Sequence, residues 1–138
     1  MAGSIVSRWI ALAPYLLSLL RIVAALMFMQ AGTVKLFGWP MAMPGGGGAP
    51  PLMSQIGIGA MLELVGGALL LVGLFTRPVA FILSGEMAVA YFQFHYPRGF
   101  WPVVNEGQPA VLYCFIWLYF SARGAGPWSL DALLRRSG

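Results

Sequence analysis

The sequence predicts an all-α protein: a bundle of four transmembrane helices with short interfacial helices at the N- and C-termini. Three observations point to it. The 138 residues are 59% hydrophobic and only 9% charged, against about 25% charged in soluble domains. Three long apolar stretches and a shorter fourth fill most of the chain, and at about 20 residues per crossing four helices use up the length. Finally, Arg21, Glu63 and Glu86 stand inside that apolar text. A charge at the bilayer centre costs roughly 3 kcal/mol or more, so each is a candidate functional residue.

Residues 1–14 read as a polar start and a short interfacial segment. Arg8 followed by an apolar run imitates a signal peptide, but Pro14, Arg21 and the continuation of the run to Phe37 argue against cleavage. The spans are predicted at about 15–37, 52–75, 78–96 and 109–122, and the whole of 1–138 as one membrane domain. Pro44-Gly-Gly-Gly-Gly-Ala-Pro-Pro51 cannot hold a regular helix and forms a loop. Thr76-Arg77-Pro78 is so short a turn that the second and third spans must be antiparallel neighbours. After the fourth span Gly124 to Pro127 breaks the helix. Leu130, Leu133 and Leu134 then share one face ahead of Arg135 and Arg136, the pattern of an interfacial helix meeting anionic lipid. Arg8, Arg77, Arg123, Arg135 and Arg136 gather on one side, and Lys35 and Arg98 on the other. The positive-inside rule puts both termini in the cytoplasm.

Periodicity assigns the charges to faces. Gly59, Gly66 and Gly73 recur every seven residues and share a face with Glu63, which small residues mark as a helix-packing face. Arg21, Ala25, Phe28, Gly32 and Lys35 form one stripe of the first span. Glu86, Ala90 and Gln93 form another in the third, with Ala88, Tyr91 and His95 roughly opposite. By rise per residue Arg21 lies about 9 Å and Glu86 about 12 Å above the inner edge, so Arg21–Glu86 is the best-matched ion pair. Lys35, near the outer edge, is in reach of His95, Asn105 or Glu106, or of Glu63 by leaning inward. Snorkelling of Arg21 and Lys35, and simple helix cross-linking by the two acids, account for the same residues without any reaction.

Several chemistries are excluded by residue counts. One Cys and one His cannot build a zinc, iron–sulfur or bis-histidine haem site from one chain, so no metal or haem is expected. The glycine run lies between spans and not between a strand and a helix, which fails the dinucleotide context. The net charge of +4 is scattered, and membrane orientation explains it better than nucleic acid.

The run from Leu19 to Gly38 with Arg21, Gly32 and Lys35 resembles the first helix of the DoxX family of small bacterial membrane proteins. Glu63-Leu-Val-Gly-Gly67 through Gly73 to Arg77 resembles that family's second helix and turn, and Tyr91 to Gly107 and Trp128-Ser-Leu-Asp131 extend the match. The chain departs from the pattern at Asn105-Glu-Gly-Gln108, where Asn-Gly-Gly-Glu is expected, so position 108 carries no acid. The resemblance implies a four-helix bundle in the bacterial inner membrane and redox work, since relatives include a subunit of a thiosulfate:quinone oxidoreductase and a component of a thiol and oxidative-stress complex.

Two classes of function are open to such a chain. In the first, the bundle binds a membrane quinone and serves a soluble or membrane redox partner as subunit or docking platform. Lys35, His95, Trp101 and Asn105 at the outer end would hold the head group, and Glu63, Glu86 or His95 would move protons as the candidate catalytic groups. In the second, a mid-bilayer Glu couples proton binding to transport in a small, oligomeric exporter. A structural or assembly role makes the simplest demands on sequence.

Overall fold

The long helices begin and end where local chemistry directs. α1 (Ile5–Ala11) starts at Ser4, whose hydroxyl accepts from the Ser7 amide, and its side chains are exposed throughout. α2 (Ala13–Phe37) has Pro14 in its first turn, where the missing N–H costs nothing, and stops at Gly38 in the left-handed region. α3 (Gln55–Val72) is capped by the Ser54 hydroxyl on the Gly57 amide and ends at Gly73, φ +71°. α4 (Thr76–Ala90) continues without a break into a π-helical turn, Tyr91–His95, and a 3-10 turn, Tyr96–Arg98. The one-turn helix α5 (Pro102–Asn105) leads to α6 (Gln108–Arg123), and α7 (Leu130–Ser137) closes the chain.

This computed structural model describes residues 3–137 and, of Arg136 and Ser137, the backbone alone. Met1, Ala2, Gly138 and the side chain of Arg136, one of the five counted in the charge asymmetry, lie outside the described residues. Among the described residues the chain is all-helical, without a strand.

α2 packs along α3, and α4 along α6; α3 and α4 share a much smaller contact below their common turn. Small residues permit the first pairing. A Cβ on Gly32 of α2 would stand 2.8 Å from the Ala60 carbonyl of α3, and the stripe Arg21, Ala25, Phe28, Gly32 is buried along this side. Gly59 and Gly66 of α3 face α4 instead, the latter against Leu83. Between the hairpins lies a core of Phe28, Leu70, Leu83, Trp117 and Phe120, in which Trp117 stands edge-on to Phe28 at 5.6 Å between ring centres.

Among the described residues two helices, Ala13–Phe37 and Gln55–Val72, are long and apolar enough to cross a membrane. The third predicted span divides: its α-helix stops at Ala90 and the rest is the π and 3-10 turns. α6 has 16 residues, about 24 Å at 1.5 Å per residue.

Candidate functional site

Two cations define two very different places on α2. Arg21 is wholly buried, at 0% exposure. Its Nε donates to the Leu70 carbonyl at 2.8 Å, Nη1 to the Ala125 carbonyl and Nη2 to the Trp128 carbonyl. Next to it Ser18 accepts from the Trp128 amide at 3.1 Å. The segment after α6 thus folds back over the end of the bundle, and Asp131 ties it down: its two carboxylate oxygens accept from the Phe75 and Thr76 amides at 2.9 and 3.0 Å, while its own amide donates to the Gly73 carbonyl at 2.9 Å. Burial pushes the Asp131 carboxyl up, but the amides of Thr76 and Phe75, the Thr76 side chain and the nearby Arg135 outweigh it and hold the group below the ordinary aspartate range. The expected Arg21–Glu86 ion pair is therefore replaced by a guanidinium on backbone carbonyls. Axial depth alone missed this, because the partners come from a returning loop and not from a facing helix.

The second place surrounds Lys35. Its Nζ lies 2.9 and 3.1 Å from the two oxygens of Glu63, so of the partners in reach it takes the inward one. Glu63 is only 3% exposed, whereas a third of the Lys35 side chain stays open. Glu86 brings its carboxyl from α4 into contact with that of Glu63. It does so past Gly59, where a Cβ would stand 3.2 Å from Glu86 Oε2. The other oxygen, Oε1, is buried without a hydrogen-bond partner. One ammonium faces two carboxyl groups. Such a set closes electrically when the acids share a proton.

This cluster is the polar end of a cavity of about 610 Å³ between the helices. Its walls are otherwise largely apolar, with Phe28 from α2, Leu62 from α3, Ile82 and Val89 from α4 and Tyr113 from α6. His95 lines it as well. In an unbroken α-helix His95 would stand opposite Glu86, at about 100° per residue. The π turn accommodates an extra residue and rotates the chain beyond it, which brings His95 round to the cavity. The same turn leaves Tyr91 buried, with its hydroxyl donating to the Phe100 carbonyl.

Trp101 and Asn105 do not join the cavity lining. Trp101 is 67% exposed and stands edge-on to Phe100. Asn105 is wholly buried, but its amide is spent on the chain: Nδ2 donates to the Gly99 carbonyl at 2.7 Å and to the Tyr91 hydroxyl at 3.2 Å, and Oδ1 accepts from the Gly107 amide at 2.8 Å. It shapes the connection into α6. Glu106, exposed, pairs with Arg98 at 3.6 Å and not with Lys35. Residues that sequence reasoning passed over include Tyr113, whose aromatic patterning with Phe28 and Trp117 signals core and cavity wall equally, and Gln55, which donates to Gln93 near the open end of the cavity.

A helical membrane protein with a charged cluster at the end of an apolar cavity is the class these features define. A sequence profile of the DoxX family matches residues 16–96. An uncharacterized protein of Haemophilus influenzae (strain ATCC 51907 / DSM 11121 / KW20 / Rd) is 48% identical over 123 residues, covering 86% of this chain and 90% of that one. The chain belongs to the DoxX family. No solved structure matches it.

Proposed function

We propose that the protein crosses the bacterial inner membrane four times with both termini in the cytoplasm, binds a membrane quinone in the cavity, and serves a redox partner as a quinone-interacting subunit or docking platform. The observation that carries this reading is the cavity itself. Its volume lies in the range of small-molecule sites, about 300–1,000 Å³, and such sites combine apolar walls with a few convergent polar groups. Lys35 is placed to donate to a ring oxygen, Glu86 to hold or release a proton, and the apolar walls to exclude water. A quinone, when bound, supplies the electron-accepting chemistry; electrons arrive from a partner such as a thiol or thiosulfate oxidising protein.

Topology is supported by the geometry of the basic residues. Arg77 begins α4 beside Gly124, and Arg123 ends α6 at the same end of the bundle as α7. Reporter fusions at Gly46, Arg77 and Gly138 are expected to report outside, inside and inside; any other pattern removes this orientation.

The binding test is titration of a short-tailed ubiquinone or menaquinone analogue into purified protein. Gly85 lines the cavity, and a Cβ there meets nothing within 4 Å, so Gly85→Leu should fill space without a clash and weaken binding about tenfold. Failure of the unmodified protein to bind either analogue would sink the reading. A second reading, proton-coupled transport, is favoured by the Glu63–Glu86 contact. It gains if quinone binding is absent and substrate uptake into liposomes depends on Glu86.

A further inference from the structure

The cavity is open along one side, and that side bears on the route its ligand takes, an inference that rests on the quinone-site reading and its topology. α3 and α4 make far less contact with each other than each makes with its other neighbour. Gly66 meets Leu83 towards the inner end of the pair, and Gln55 donates to Gln93 at the outer end. Between these two links the helices are edged by apolar side chains that line the cavity and are also exposed: Ile58 on α3, and Ile82 and Val89 on α4. Gly85, midway along that edge of α4, lines the cavity and is exposed, and a Cβ there would meet nothing within 4 Å. The gap is a window with apolar sides.

Depth decides what the window faces. At 1.5 Å per residue Ile82, Gly85 and Val89 lie about 9 to 20 Å along α4 from Thr76, and Ile58 lies about 21 Å along α3 from Val72. The turn between these helices is at the cytoplasmic end of the proposed topology, and the hydrocarbon core is about 30 Å thick. The window therefore opens onto acyl chains. Apolar side chains that face lipid need no further explanation, since lipid tails are as apolar as they are. The open space beside Gly85 is different, because it belongs to the same cavity as Lys35, Glu63 and Glu86. A molecule with a polar head and an apolar tail matches both ends of that space.

We propose that the cavity takes its ligand sideways from the bilayer, with the head group at the Lys35 end and the apolar tail leaving between α3 and α4 across Gly85. The substrate class is thereby an amphiphile dissolved in the membrane. The test uses a quinone whose alkyl tail ends in a photoreactive diazirine, irradiated with the purified full chain in phosphatidylcholine nanodiscs, with and without excess unlabelled quinone. Labelling that the excess suppresses should concentrate on Ile58, Ile82, Gly85 and Val89. Ile82→Trp should reduce it about tenfold by displacing about two tail methylene groups. Leu112→Trp, at an exposed α6 position outside the cavity lining, should leave it unchanged. Suppressible labelling at Met43 or Pro109 instead, which also line the cavity, would send the tail out of the other end and overturn the window while leaving the quinone site standing. Binding without any suppressible labelling does the same, and absence of binding overturns both. A disulfide dimer formed in membranes by Ile82→Cys, in a Cys114→Ser background, would put a second copy over the window and likewise overturn it. The labelled positions in the unmodified chain decide the question even if Ile82→Trp fails to fold.

Discussion

Arg21 and Lys35 lie near opposite ends of one helix face and are both drawn into the protein, yet they have opposite surroundings. Arg21 is wholly buried with its fork spread over three backbone carbonyls from two other parts of the chain. Lys35 meets one carboxylate, remains a third open, and sits beside a second acid with an unpartnered oxygen. The difference teaches how to read a buried charge. Where each nitrogen of the guanidinium donates to the chain itself, the charge is a fastener. Where partners run short next to a cavity, the deficit is what a ligand can fill.

If that contrast is right, Arg21→Met should have the largest effect on stability. It strips donors from the Ala125 and Trp128 carbonyls at about 1–3 kcal/mol for each group left unpaired, so the thermal midpoint in detergent and the yield of folded protein should both collapse. Lys35→Met should cost less, about 1–2 kcal/mol, because Glu63 can take up a proton when its counter-ion leaves. Equal losses in the two variants would break the comparison. Gly32→Val tests the helix that carries both residues. Its side chain would press on the Ala60 carbonyl and the Leu64 amide, 2.8 and 3.0 Å from the Cβ, and should cost about 1–3 kcal/mol by forcing α2 from α3. That loss should come with weaker quinone binding, since Glu63 lies directly beneath.

At the open cluster, Glu63→Gln should be tolerated better than Glu63→Leu. Gln still offers Lys35 an acceptor, at a difference of about 1 kcal/mol for a net hydrogen bond. An unchanged melting curve and unchanged binding in Glu63→Leu would mean that the residue supports nothing. The smallest effect belongs to the closed region. Asp131→Asn should cost about 1 kcal/mol or less, the scale of a helix cap. Because the folded-state carboxyl is held below its ordinary value, its contribution is fully present above that ordinary value, about pH 4, and disappears as pH falls through the folded value. Melting curves of the variant and parent should therefore run parallel near neutral pH and converge in acid.

Much of the open cluster was legible in the sequence. The seven-residue glycine spacing around Glu63 and the Arg21-to-Lys35 stripe carry their faces on their surface, because a straight helix preserves angular spacing. His95 was named as a candidate but placed opposite Glu86, since its orientation depends on a π turn that no periodicity announces. The Arg21–Glu86 pairing failed for a related reason: depth along an axis ranks side chains on helices but says nothing of carbonyls brought back by a loop. Asn105 was legible as polar and special, though its specificity serves the backbone of the turn before α6. The helix boundaries are set by caps at Ser54, Gly38 and Gly73, which the apolar runs do not mark: the second span was expected at about 52–75 and its helix is Gln55–Val72.

The reach of Arg21 also has a meaning in time. Its carbonyl partners at Ala125 and Trp128 lie 104 and 107 residues further along the chain, so during synthesis the first long helix enters the bilayer before those partners have been made. Until then the guanidinium is expected to stay near the lipid head groups by snorkelling, and it can be drawn under cover only once translation has delivered Ala125 and Trp128. Its burial thus requires that the chain has been made as far as Trp128. Nascent chains halted before Trp128 are expected to leave Arg21 reachable by a water-soluble probe, tested by labelling a cysteine at its neighbour Leu20, and to be cleared faster by membrane proteases than chains that carry α7.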